Sequence, residues 1–137
     1  MPGLRCLIAA VVILASQAAQ AQQTALTLAC KGTMTSALDE KPQPVSMGIV
    51  VNFTTRTVAG FGSPGMLDYP VKITGVDDVT VVFGGSARFG DVENSILGSI
   101  DRVTGDVEAT TTIANVKSNN ASHTGYTLKC RPAQRMF

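Results

Sequence analysis

Two hydrophobic patterns divide this chain. From Cys6 to Ala15 (CLIAAVVILA) the residues are almost wholly apolar, whereas past residue 23 apolar and polar positions alternate. A period of two marks strands with one buried face. Val45, Met47, Ile49, Val51 and Phe53 share one face, and Ser46, Gly48, Val50 and Asn52 take the other. Val79, Val81 and Phe83 repeat the pattern, as do Val107, Ala109, Thr111 and Ile113. Leu26, Leu28 and Cys30 form such a face near the start, and Tyr126, Leu128 and Cys130 form one near the end. Val58 to Phe61, Tyr69 to Ile73 and Ile96 to Ile100 bring the predicted strands to eight. β-branched residues are abundant and no helical period follows the first segment. The pattern predicts an all-β fold, an antiparallel meander of about eight strands, closed as a barrel or folded into a two-sheet sandwich.

The opening segment reads differently. Met1 to Arg5 carries one positive charge, the apolar run follows, and a small, polar stretch ends in Ala19-Gln20-Ala21. These are the parts of a cleavable export signal. Ten apolar residues are too few for a helix across a bilayer, which takes about 20. The expectation is a signal peptide over 1–21 and a single all-β domain over 22–137, working in a periplasmic or secreted, bacterial setting.

Composition narrows the function classes. Residues 22–137 carry ten Lys and Arg against ten Asp and Glu, with no run of like charge. That argues against nucleic acid, which needs clustered cations, and against an anionic membrane surface. The chain has no Trp, five Phe and two Tyr, so stacking platforms for bases or sugars are scarce. Cys6 falls within the signal, leaving Cys30 and Cys130, which in an exported domain read most simply as one disulfide. The rival reading is a lipid-modified Cys30 after Leu26-Thr27-Leu28-Ala29, although polar residues from Ser16 to Thr24 separate it from the apolar run.

The predicted connections alternate. Thr54 to Arg56, Gly75 to Asp78 and Val103 to Gly105 are tight, whereas Thr33 to Pro44, Gly62 to Pro70, Gly84 to Asn94 and Lys117 to Gly125 are long. In a meander the long ones gather at one rim, the default place for binding residues. Met66, Tyr69, Arg88 and Phe89 are the candidates there. His123 lies in a Ser/Asn-rich stretch with no nucleophile elbow or orienting carboxylate in its motif. With a single His and paired cysteines, a zinc site lacks ligands. Asp77-Asp78 reads as turn chemistry. In Ser99 to Asp106 the predicted hairpin has Gly105 at positive φ and Asp101 or Thr104 bonding backbone amides. No catalytic group, metal or cofactor is expected.

Three stretches carry a resemblance: Pro44-Val45-Ser46-Met47-Gly48-Ile49-Val50-Val51-Asn52-Phe53, the Ser99 to Asp106 hairpin, and the tail Cys130-Arg131-Pro132-Ala133-Gln134-Arg135-Met136-Phe137. In these the chain resembles small exported bacterial proteins of uncharacterised function, which implies an envelope or extracellular setting and no particular activity. In architecture alone it resembles periplasmic β-barrel hydrolase inhibitors with one disulfide, whose Ser- and Lys-bearing loop motifs are not found here. The functional expectation is a non-enzymatic binding module acting on an envelope or extracellular protein through its long-loop rim. The alternatives are a carrier of a small apolar ligand inside the barrel and a hydrolase inhibitor. The Arg135-Met136-Phe137 tail is given no role.

Overall fold

The computed structural model describes residues 24–39, 41–61 and 69–134. The signal over 1–21, Met66 and the tail from Arg135 lie outside the described residues. Eight strands follow in order: β1 Ala25–Ser36, β2 Gln43–Asn52, β3 Thr57–Ala59, β4 Lys72–Val76, β5 Thr80–Phe89, β6 Val92–Asp101, β7 Asp106–Asn115 and β8 Asn120–Pro132. Each pairs antiparallel with its sequence neighbour, and β1 pairs with β8, which closes a barrel rather than a sandwich.

The register follows the alternation of the sequence. Leu28 faces Ile49 and Leu26 faces Val51 across β1 and β2. Val81 faces Ile100, Ile100 faces Val107, and Val107 faces Leu128 around the wall. A slip of one residue would turn every one of these side chains outward, so burying this face fixes the pairing. Ile49, Phe83 and Val107 have no exposed surface. Positions between them, such as Lys31, Lys72, Glu108 and Lys129, are exposed. No helix among the described residues is long and apolar enough to cross a membrane.

Aromatic rings plug the middle. Phe61 stacks on Phe83 with centroids 5.3 Å apart and meets Tyr126 edge-on at 5.7 Å. Phe83 lies across the strand from Gly98, and a Cβ on Gly98 would come within 2.7 Å of the ring carbon Cε2. The missing side chain at Gly98 is the space the ring fills.

The predicted disulfide is present. Cys30 and Cys130 are directly opposed across β1 and β8, with S–S 2.01 Å and Cα–Cα 4.0 Å. Late placement of both cysteines in short strands would set them at opposite ends of an antiparallel pair. β1 instead continues to Ser36, so Cys30 sits mid-strand while Cys130 lies near the end of β8. The bond fastens the seam from inside, where both residues are buried.

The loop expectation needs correction. The three tight turns are present, the one read over Gly75 to Asp78 falling at 77–79 because β4 runs to Val76, but Gly84 to Asn94 and Lys117 to Gly125 are not long loops. β5 and β6 run on to a two-residue turn at Gly90-Asp91, and β7 and β8 to a turn over 116–119. Only the 60–71 connection is long, and 37–42 is of middle length. Polar residues such as Arg88, Glu93, Ser95, His123 and Thr124 continue the ladders beyond the core, held by backbone pairing rather than burial.

Candidate functional site

Three hairpins at the tight-turn end share one device. Asn52 Oδ1 accepts from the amides of Thr54 and Thr55, both at 3.0 Å. Asp77 Oδ1 accepts from Val79 and Thr80 at 2.8 and 2.7 Å, and Asp101 Oδ1 from Val103 and Thr104 at 2.8 Å each. Such Asx turns satisfy amides that no ladder reaches. A left-handed residue completes two of these turns, Arg56 at φ 54° and Gly105 at φ 78°. Asp101 therefore bonds backbone amides and Gly105 has positive φ, as the sequence predicts. Gly105 carries a second demand, because a side chain there would strike the Cys130 carbonyl. These backbone bonds hold the carboxyls of Asp77 and Asp101 below the usual range. The Lys129 ammonium at 2.8 Å does the same for Asp106.

The first and third of these turns border a pocket of about 1010 Å³ at this end of the barrel. Phe53, Asp101, Arg102, Thr104, Arg131 and Pro132 border it together with half-buried Leu26, and the core side chains Leu28, Val51, Val81, Ile100 and Cys130 lie against it, nearly closed off from solvent. Arg102 is held in place there. Its Nη1 donates to the Asp77 carbonyl at 2.6 Å, and its guanidinium carbon lies 5.9 Å from the Phe53 ring centroid. That geometry is a cation–π contact. The size falls near the upper end for small-molecule sites, which combine apolar walls with a few polar groups.

The residues expected to form a rim do not gather into one exposed patch. Tyr69 is buried, with its ring over Gly85, and burial pushes its hydroxyl above the usual value. Arg88 and Phe89 are consecutive in β5, so the pleat sends them to opposite faces of the sheet. Arg88 Nε donates to the Gly90 carbonyl at 3.0 Å, while Phe89 is 53% exposed. Met66 lies outside the described residues. His123 stands in β8 rather than a loop, with Nδ1 2.9 Å from the Thr112 hydroxyl across the ladder. Among the described residues no cluster of His, Cys, Asp and Glu is arranged to hold a metal.

Arg102 and Arg131 were missed by inspection of the sequence, which sought binding residues where loops are long. A signal was present: Phe53 extends the buried face of β2 into a turn, where a scaffold corner would be polar. No family model, curated protein or solved structure matches the chain.

Proposed function

We propose that this protein is an exported binding protein that carries a small apolar ligand in the cavity at the tight-turn end of its barrel. One observation carries the reading: a pocket of about 1010 Å³ at this end is lined by Leu26, Leu28, Val51, Val81 and Ile100, beneath Phe53 and Arg102. The aromatic plug of Phe61, Phe83 and Tyr126 fills the middle of the barrel, so the ligand enters from one end. Three hairpins tied by side-chain caps keep the mouth preformed, which lowers the ordering cost of binding. The Cys30–Cys130 bond fits an oxidising compartment, in keeping with a periplasmic or secreted location.

The test is titration of the oxidised protein with Nile red, a neutral apolar dye. Saturable binding at one site is expected. A Leu26→Trp variant, placed at a half-buried wall position, should weaken it tenfold or more while the far-ultraviolet spectrum is unchanged. No binding, or equal binding by the folded variant, refutes the reading.

A second reading, a protein contact at the opposite end, is favoured by the exposure of Phe89, Ile113 and Val116 there. Loss of a co-purifying envelope protein in a Phe89→Ser, Ile113→Ser double variant would support it. Retention of that protein would refute it.

A further inference from the structure

We infer that the far end of the barrel wall binds an extended segment of a partner polypeptide, which adds as a strand to the free edge of β5 over Ser86 to Phe89. This is independent of the pocket at the tight-turn end, and it gives a chemistry to the contact at the opposite end. Two strands are too short to complete the wall there. β3 has three residues and β4 five, whereas β2 and β5 have ten each. β3 pairs with β2 only at Val50 to Asn52, and β4 pairs with β5 only as far as Gly84. Beyond those points lies a gap, bordered by β2 before Val50 on one side and by β5 after Gly84 on the other. Among the described residues nothing is paired with Ser86 to Phe89 on that side. The chain leaves the wall because it turns inward. The Tyr69 ring and the Pro70 carbonyl lie against Gly85, where a Cβ would come within 2.7 Å of the Pro70 oxygen.

Two hydrogen bonds fix which backbone groups face the gap. Neighbouring residues of an antiparallel strand direct N–H and C=O to opposite sides. The Asp77 amide donates to the Thr80 carbonyl on the β4 side, and the Arg102 amide donates to the Val79 carbonyl on the β6 side. The β5–β6 register then runs without a bulge to Phe89. Even-numbered residues of β5 therefore face β4, and past its end Ser86 and Arg88 present N–H and C=O to the gap. The same counting on β2, from the Phe53 amide bonded to the Thr24 carbonyl, turns Pro44 and Ser46 toward the gap. Pro44 thus lacks an N–H where no ladder bond is lost, which blunts that edge. β5 has no proline, so its edge is the open one. Arg88 Nε is engaged by the Gly90 carbonyl, so its head lies toward the turn rather than across the edge. On the inward face Phe89 is 53% exposed, and Ile113, two strands away on the same face, is 41% exposed. Only an extended main chain matches N–H and C=O groups repeated at every second residue, about 6.8 Å apart. Antiparallel addition is the stronger pairing. It sets alternate side chains of the partner beside Phe89, which calls for apolar residues at every second position and small polar ones between, beside Ser86 on the outer face.

The experiment titrates nitrogen-15-labelled, oxidised protein with a blocked pentapeptide of alternating threonine and valine, threonine at both ends. In the antiparallel pairing the valines lie beside Phe89, and the threonine amides bond Ser86 and Arg88. Saturable shifts are expected at Ser86 to Phe89. Methylating the threonine amide nitrogens should weaken binding tenfold or more, and methylating the valine ones less than threefold. Ser86→Pro, which removes a gap-facing N–H and no ladder bond, should weaken it tenfold or more. Phe89→Ser, at an exposed position, should weaken it fivefold or more while leaving the fold intact. No shift at millimolar peptide, equal binding of the methylated and unmethylated peptides, greater sensitivity at the valine amides, or shifts confined to Gln43 to Met47 overturns the added strand. Nile red titration of the same sample reads the pocket separately, so failure of the peptide leaves the pocket standing and failure of the dye leaves the added strand.

Discussion

Reducing the Cys30–Cys130 bond isolates the contribution of the closing seam, because no heavy atom is removed. The two cysteines are 100 residues apart, so the bond ties nearly the whole described chain into one loop. On the chain-entropy argument, closing a loop of that length lowers the entropy of the unfolded state by about 16 cal/mol/K, which is about 4.7 kcal/mol at 25 °C. The folded state changes little, since the cysteines are directly opposed in the ladder and two buried thiols pack as small apolar groups. An unfolding entropy of about 2.1 cal/mol/K per residue over about 110 residues gives about 0.23 kcal/mol/K, so the melting temperature should fall by about 20 °C. The assay is thermal and urea unfolding of the oxidised protein beside protein reduced in denaturant and refolded without air. The urea slope should steepen on reduction, as a free unfolded chain exposes more surface than a looped one. Melting temperatures within about 5 °C of each other would refute the reasoning, showing that the bond does not constrain the unfolded ensemble as supposed.

Three further outcomes are expected. A Gly98→Ala substitution drives a methyl into the Phe83 ring and should cost about 1–3 kcal/mol by overpacking. A Phe83→Leu change in the same chain should recover part of that loss, and simple additivity in urea unfolding would contradict the pairing. The second concerns pH. Asp77, Asp101 and Asp106 have folded-state values below the usual 3.8. Their stabilisation is therefore complete above the unfolded value and is lost as the pH falls below about 4 through the lower folded values. Urea midpoints should drop from pH 5 to pH 2.5, less steeply in an Asp77→Asn, Asp101→Asn variant, and a flat profile in the unsubstituted protein would count against it. Third, Asp101→Ala strands the amides of Val103 and Thr104. Loss of this capping acceptor should lower the urea midpoint, and Asp101→Asn, which keeps an acceptor oxygen, should lower it less; equal midpoints for Asp101→Ala and the unsubstituted protein would contradict the cap.

Much of the fold is visible in the alternation of apolar residues. Strands β1, β2 and β5 to β8 each contain most of the predicted apolar face, although Val79 falls in the turn before β5 and Ile113 of β7 is exposed, and the cysteines at Cys30 and Cys130 meet across the closing seam. What escapes is every ladder that leaves the core. Ser86, Arg88, Glu93, Ser122 and His123 have no buried face to impose a period, so they read as loop although they lie within strands. The turns themselves were better signposted. Asn52-Phe-Thr-Thr-Arg56, Asp101-Arg-Val-Thr-Gly105 and Asn115-Val-Lys-Ser-Asn119 share an Asx at the first position, Thr or Ser at the fourth and a left-handed residue at the fifth. In the last of these, Asn115 Oδ1 accepts from Lys117 and Ser118, so the stretch read as a long loop is a third copy of the hairpin. The cavity is the least legible part. Leu26, Leu28, Val51 and Ile100 look like ordinary core positions in sequence, and only closure of the barrel brings them together against one pocket.

The central claim is that the tight-turn end of the barrel holds a ligand. Nitrogen-15 and methyl spectra of the oxidised protein during Nile red titration test it most directly. The account predicts saturable shifts at Leu26, Leu28, Val51, Val81, Ile100, Arg102 and Arg131, with Phe89 and Ile113 at the far end unmoved. Shifts confined to the Phe89 end, or none, would contradict it.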